Sequence, residues 1–259
     1  MPEVLEPTSP VAVTTGLRGA PGYRWARAEL AQAQKPGVGV PAYTRWVNRR
    51  AARVVAAAAV AVGAGPNVVT AVSVLSSAAG MAVLLLLPAG WWTAAFAAGL
   101  LALGYVLDSA DGQVARVTRR QSPAGEWLDH VADAMRTPAL HLTVAVAWVL
   151  QERTAAWVVP VALTLTVVVA GQFMSQILAE QLARRSGGPR RAGSDRQSWV
   201  LLPTDPGVWC WVFLLWGDAT VFAVAYTALA VVNGLHVAVS MRRRFRELSG
   251  VAPAGPAAG

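Results

Sequence analysis

The sequence predicts an all-α, polytopic membrane protein in which six transmembrane helices follow an interfacial amphipathic helix. Three observations carry this. Of the 259 residues, 55% are hydrophobic and 14% charged, which leaves too little polar surface to cover a water-soluble globule of this size. Residues 54 to 107 contain no Asp, Glu, Lys or Arg; a bilayer crossing needs about 20 apolar residues, so this stretch holds two. Further charge-free stretches separate Arg136 from Glu152, Arg153 from Glu180, and Asp218 from Arg242. The single cysteine, Cys210, excludes a disulfide framework.

Element by element, residues 1 to 40 are rich in Pro, Gly and Ala with scattered charge and predict a flexible cytoplasmic tail. A short helix near Tyr23 to Gln34 has no evident partner surface there. From 41 to 62, Arg45, Arg49, Arg50 and Arg53 flank Trp46 and lead into an Ala/Val run, the pattern of a helix lying in the interface with its arginines at headgroups. The membrane domain is assigned to residues 63 to 247. Gly65-Pro66-Asn67 opens the first crossing, Val68 to Leu87. A turn with Trp91 and Trp92 suits a membrane surface, and the second helix then continues past Asp108 towards Arg119 and Arg120. The third runs from about Gly125 to Leu150, the fourth from Thr154 to about Ala183, and the sixth from Ala219 to about Met241. The fifth must combine Val208 to Trp216 with part of Trp199 to Gly207, despite Pro203 and Pro206. Residues 248 to 259 predict a flexible C-terminal tail.

The net charge of +8 follows this topology. Arg45 to Arg53, Arg116/119/120, Arg184/185/190/191/196 and Arg242/243/244/246 fall on one side, and the opposite turns hold only Arg153. The positive-inside rule places both termini in the cytoplasm, in a multi-pass protein of the cell membrane. No aromatic-basic interleaving points to nucleic acid; the arginines suit anionic membrane lipids.

Four carboxylates sit where the second and third crossings meet that basic side: Asp108 and Asp111 on one helix, Asp129 and Asp133 on the next. Spacings of three and four put each pair on one helical face, and a short connection makes the helices antiparallel neighbours. Carboxylates converging at the edge of hydrocarbon repel one another unless cations neutralise them, which points to a divalent metal site with oxygen ligands, Mg²⁺ or Mn²⁺. Gly112 and Ala115 make a side-chain-free strip beside the carboxylates, and Gly125 lies one turn before Asp129. Such a strip admits close helix packing or a flat ligand, and Arg116 beside it favours a phosphate-bearing one.

The motif Asp108-Ser-Ala-Asp111-Gly112-Gln-Val-Ala115-Arg116, eight residues, Gly125, three residues, Asp129, three residues, Asp133 matches all eight fixed positions and every gap of one signature. It resembles that of the CDP-alcohol phosphotransferase family, and the likeness covers roughly residues 41 to 247. The resemblance implies that a hydroxyl attacks the β-phosphorus of a CDP-linked donor, forming a phosphodiester and releasing CMP. It implies two divalent cations, one held by Asp108, Asp111 and Asp129 and the other by Asp108, Asp129 and Asp133. Gly112, Ala115, Arg116 and Gly125 then line the cytidine diphosphate site. Ser122 stands where relatives carry Thr or Ser and reaches a ribose or phosphate oxygen; Asn67 matches a Pro-Asn of the family, although a helix cap would also explain it. The family also implies a homodimer through transmembrane helices.

For the acceptor proton, Asp133 is the family's candidate base. His130 is the alternative, because Ser122 to His130 resembles the matching stretch of choline and ethanolamine phosphotransferases and an imidazole titrates near neutrality. Two directions of transfer stay open: CDP-diacylglycerol to a small polar alcohol, or a CDP-alcohol head group to a lipid hydroxyl, which the His130 context favours. Ala134 stands where relatives with phosphorylated acceptors carry Lys or Arg, which disfavours such an acceptor. Gln172, Ser175, Gln176 and Glu180 recur at helical spacing and face either an acceptor cavity or neighbouring helices. Arg136 either binds an anionic substrate or pairs with a carboxylate; Asp205 reads as an N-cap, and His141 and His236 as structural. A competing class, a cation-binding membrane transporter, would place carboxylates near the midplane rather than beside a basic loop.

Overall fold

The computed structural model describes residues 22–32, 37, 39–185 and 195–249. Among these the chain is all α: α1 Tyr23–Gln32, a π-helical turn Thr44–Asn48, α2 Arg49–Ala61, α3 Pro66–Leu86, α4 Trp91–Thr118, α5 Pro123–Leu150, α6 Val158–Arg185, α7 Asp195–Val200, α8 Pro206–Val212 and α9 Ala219–Ser249. Four helices are long and apolar enough to cross a membrane: Pro66–Leu86, Trp91–Thr118, Val158–Leu182 and Ala219–Ser249. Large apolar side chains such as Leu75, Phe96, Val167 and Val239 are exposed on their outer faces, as contact with lipid rather than water requires. The protein is a polytopic α-helical membrane protein.

Helix boundaries follow local chemistry. Gly65 in extended conformation precedes Pro66 at the first position of α3, where the missing proline N–H costs nothing. Arg119 caps α4 in the left-handed region at φ 55°, and Arg120 N–H closes on Ala115 O at 2.9 Å. The turn to α5 ends at Ser122, whose Oγ accepts from Gly125 N–H at 3.0 Å, with Pro123 next. Asp218 Oδ1 accepts from Thr220 and Val221 N–H at 2.9 and 3.0 Å and starts α9.

The α3–α4 hairpin packs through small polar contacts. Ser73 Oγ donates to Gly104 O and Ser76 Oγ to Leu100 O, both at 2.8 Å. A Cβ on Gly104 would run into Ser77 and the Ser73 carbonyl, so this glycine sets the closeness of two helices in a setting where hydrophobicity alone does not drive association. Trp148, Trp209, Phe213, Trp216, Phe222 and Tyr226 form an aromatic core with centroid spacings from 4.9 to 6.3 Å. Arg153 lies over Trp148 and Trp216, 4.4 Å from each ring, and donates to Trp216 O at 2.7 Å. Trp209 and Trp216 are therefore packing residues, whereas Trp91 and Trp92, 64% and 87% exposed, remain on the surface.

Two stretches differ from expectation. The helix at Tyr23–Gln32 does have a partner: Ala26 and Leu30 are fully buried against Ala52, Ala56 and Val60 of α2 and Ala110 and Val114 of α4. The fifth segment is no continuous helix; α7, a 3-10 turn at Leu202–Thr204, α8 and a second 3-10 turn at Phe213–Gly217 follow one another. Prolines 203 and 206 interrupt it, as a ring without an N–H must. The irregular chain is clasped instead by the segment leading into α2. Asp205 accepts from Thr44 N–H at 2.7 Å, Thr44 Oγ1 at 2.8 Å and Gly207 N–H at 3.0 Å, the last being the N-cap bond expected of it. Trp211 Nε1 donates to Tyr43 OH at 2.8 Å, Arg45 donates to Asp195 at 2.6 Å, and Trp46 packs on Trp199 at 5.1 Å.

Candidate functional site

The α4 and α5 helices bring the carboxylates together at one end of the bundle. Ligand oxygens of Asp108, Asp111 and Asp129 lie within 4.8 Å of one another. Asp111 is buried, and its Oδ2 accepts from Thr70 Oγ1 of α3 at 2.6 Å while Oδ1 accepts from Gly112 N–H. Asp133 is not part of that close triad. It shares the Arg136 guanidinium with Asp108: Arg136 Nη2 donates to Asp108 Oδ1 at 2.6 Å and also to Asp133, while Nη1 donates to Ser73 Oγ at 3.0 Å. Of the two roles open to Arg136, the structure shows carboxylate pairing.

A hard divalent cation fits the triad. Its donor set is all carboxylate oxygen, acceptor-only when ionised, and three such groups at this spacing attract a cation strongly. Thr70 holds one of those oxygens in place from a different helix, the outer partner that metal ligands need.

Two cavities meet at the cluster. One, about 470 Å³, is lined by Asn67, Thr70, Asp111, Gly112, Ala115, Arg116, Ser122, Gly125, Asp129 and His130, together with Arg120 and Glu126. Every residue that the sequence resemblance gives to the cytidine diphosphate site is on this wall. The N-cap of α3 is Gly65, without a side-chain bond, so Asn67 is not a cap; its Oδ1 would be 3.4 Å from a Cβ on Gly125. Ser122 is a cap, and its O–H and second lone pair are left to reach a ligand. Gly112 leaves room for the Arg116 guanidinium, whose Nη1 would be 3.4 Å from a Cβ there.

The other cavity, about 460 Å³, reaches from Asp108, Asp133 and Arg136 into the bundle past Tyr105, Thr137, Pro138, Gln172, Gln176, Asn233 and His236. Gln172 and Gln176 thus face a cavity, whereas Ser175 Oγ accepts from Arg244 at 3.4 Å and Glu180 is exposed. His141 also lines this cavity, with its Nδ1 2.8 Å from Tyr226 OH. His236 does line the cavity. Ala134 is exposed and lies outside both linings; the cation on this wall stands two residues later, at Arg136.

His130 lies on the first cavity. Its Nδ1 is 3.9 Å from Asp129 and its Nε2 4.0 Å from Glu126, with the ring edge-on to Phe173 at 6.3 Å. The residues that sequence reasoning passed over are Thr70, Arg120 and Tyr105. No local motif marks them: Thr70 bonds Asp111 and Tyr105 bonds Thr44 across elements, and Arg120 lines the first cavity from the turn after α4.

A helical membrane protein with an acidic cluster between two cavities, one walled by small residues and an arginine, defines the class. The model of the family described as CDP-alcohol phosphatidyltransferase matches residues 64–241, and the chain belongs to that family. It is also 39% identical over 85 residues, 32% of this chain and 41% of the relative, to an archaetidylinositol phosphate synthase of Aeropyrum pernix. The chain thus spans about two fifths of the length of that curated relative.

Proposed function

We propose that the protein is an integral membrane transferase that moves a substituted phosphate group from a CDP-linked donor to an acceptor hydroxyl and releases CMP. The observation that carries this reading is the cluster's position between two cavities: Asp111 and Asp129 face one, Asp108 and Asp133 the other. Donor and acceptor can then approach the same carboxylates from opposite sides, which supplies the alignment that a displacement at phosphorus needs. The cavity of Gly112, Ala115 and Gly125 admits the flat base and diphosphate, and Arg116 offers a guanidinium to phosphate oxygens.

Asp108, Asp111 and Asp129 hold one divalent cation, and Asp108, Asp129 and Asp133 a second, Mg²⁺ or Mn²⁺. When bound, these ions stabilise charge on the phosphate groups and on the departing CMP. The acceptor oxygen forms its bond to the β-phosphorus as the bond to the CMP oxygen breaks. Asp133 takes the acceptor proton; it lines the acceptor-side cavity, while His130 lines the donor-side one, its ring nitrogens 3.9 and 4.0 Å from Asp129 and Glu126, beyond hydrogen-bond reach. The family's name supports phosphatidyl-type transfer; in our reading the donor is CDP-diacylglycerol and the acceptor a polar alcohol.

In this reading the bundle crosses the membrane six times, α5 and the broken Asp195–Gly217 segment included, and the positive-inside rule applied to the arginine-rich ends of α2, α4 and α9 supports a site on the cytoplasmic side. The test is CMP release by the full chain in detergent with Mg²⁺ or Mn²⁺, with products identified by mass spectrometry. CDP-diacylglycerol with free and phosphorylated polyols forms one arm, CDP-alcohols with diacylglycerol the other. Activity in the first arm is expected; activity confined to the second reverses the direction of transfer, and no CMP release in either overturns the reading.

A further inference from the structure

Arg136 is tied to three helices at once. Its guanidinium joins Asp108 of α4, Asp133 of its own helix, and Ser73 of α3. The Ser73 hydroxyl donates its proton to Gly104 O at 2.8 Å, so its oxygen is oriented to accept from Arg136 and is itself held on α4. The side chain is 15% exposed. The acidic cluster is consequently divided. Asp111 is held by neutral donors, Thr70 and the Gly112 backbone, and stands in the close triad with Asp108 and Asp129. Asp108 and Asp133 already share a cation that belongs to the chain.

We propose that Arg136 competes with a divalent cation for Asp108 and Asp133, so that the two ions of the site bind unequally. The first enters the Asp108–Asp111–Asp129 triad beside the guanidinium; the second binds only as the guanidinium withdraws from Asp108 and Asp133. The inference rests on the two-cation reading given above. A tethered cation is present at high effective concentration and loses little freedom on pairing, whereas an ion from solution must displace it and leave the guanidinium another partner. In a half-buried site the same positive charge also repels the incoming ion, with little water to screen it. Arg136 is on this account a positioning residue: it keeps Asp108 and Asp133 paired until the second ion arrives, and its release leaves Asp133 open to the acceptor-side cavity.

The experiment counts bound Mn²⁺ on the full chain in detergent at pH 8, by electron paramagnetic resonance, with thermal unfolding measured in parallel. Wild type is expected to show two classes separated at least about tenfold in Kd, and Arg136→Gln to tighten the weaker class about tenfold, since it leaves buried carboxylates without their built-in partner. The variant should unfold at a lower temperature than wild type without Mn²⁺ and gain more from Mn²⁺ than wild type does. A purely structural role predicts the first loss without that recovery. Arg136→Lys keeps the charge and should retain the unequal classes; Arg50→Gln, which removes an exposed charge elsewhere, should change neither class. Arg136→Met repeats the measurement should the glutamine variant not fold. Two equal classes in wild type, or a weaker class that no uncharged variant tightens, would overturn the competition. CMP release is assayed separately: its absence with the ion classes shifted as described sinks the enzyme reading alone, and its presence with unshifted classes sinks the competition alone.

Discussion

The two cavities that meet at the carboxylates are built in different ways. The one containing Asn67 and Gly125 draws its whole lining from residues 66 to 130, the start of α3, the end of α4 and the start of α5. The one containing Asp133 and Arg136 recruits Gly39, Tyr105, Gln172, Trp209 and His236, from segments spread over most of the chain. The first wall is rich in small residues and backbone, the second in long uncharged polar and apolar side chains. A pocket that must admit one constant group can be written into a compact motif. A pocket that varies in its guest is better assembled from distant helices, where single substitutions reshape it without disturbing the common chemistry.

Substitutions can test that division. The largest effect belongs to the carboxylate cluster where the cavities meet: Asp129→Asn is expected to lower CMP release by at least about 100-fold, the scale of losing a group that stabilises developing charge, with the thermal transition retained. Thr70→Val removes the outer partner of Asp111 and should weaken Mn²⁺ binding by about tenfold, read by titration. Two further variants separate the cavities by steady-state kinetics. Gly125→Val, whose Cβ would sit 3.2 Å from Ser122 Oγ, should raise KM for the CDP-linked donor by about tenfold and leave the acceptor KM unchanged. Gln176→Leu should do the reverse, and a swapped pattern would break the assignment of donor and acceptor sides. The smallest effect is Ser122→Ala, which loses the α5 cap at a cost of about 1 kcal/mol, a fall of roughly 2–4 °C in Tm.

The carboxylate pairs and the glycine strip were legible because helical periodicity alone puts residues three and four apart on one face. The same local logic located α3, α4, α5 and α9 to within a few residues at most of their ends. It failed where the partner was remote. Nothing around Tyr23 to Gln34 announces that Ala26 and Leu30 fit against Ala52 and Val60, since alanine faces carry little periodic signal. The Asp195–Gly217 segment read as a helix with two inconvenient prolines; its broken course is anchored by Thr44, 161 positions away, which donates to the Asp205 carboxylate.

Taken alone, the chain's letters determined that it belongs in a membrane, which end carries positive charge and where four carboxylates cluster, because each of these depends on composition or on spacing along one helix. Only the tertiary structure decided that Arg136 stands between Asp108 and Asp133, that His130 and Asp133 open on different cavities, and that Thr70 steadies Asp111. Those facts turn on which helix faces which across the bundle, and that choice is made by close packing at places such as Ser73, Ser76 and Gly104, where the fit of two surfaces matters more than the character of either sequence.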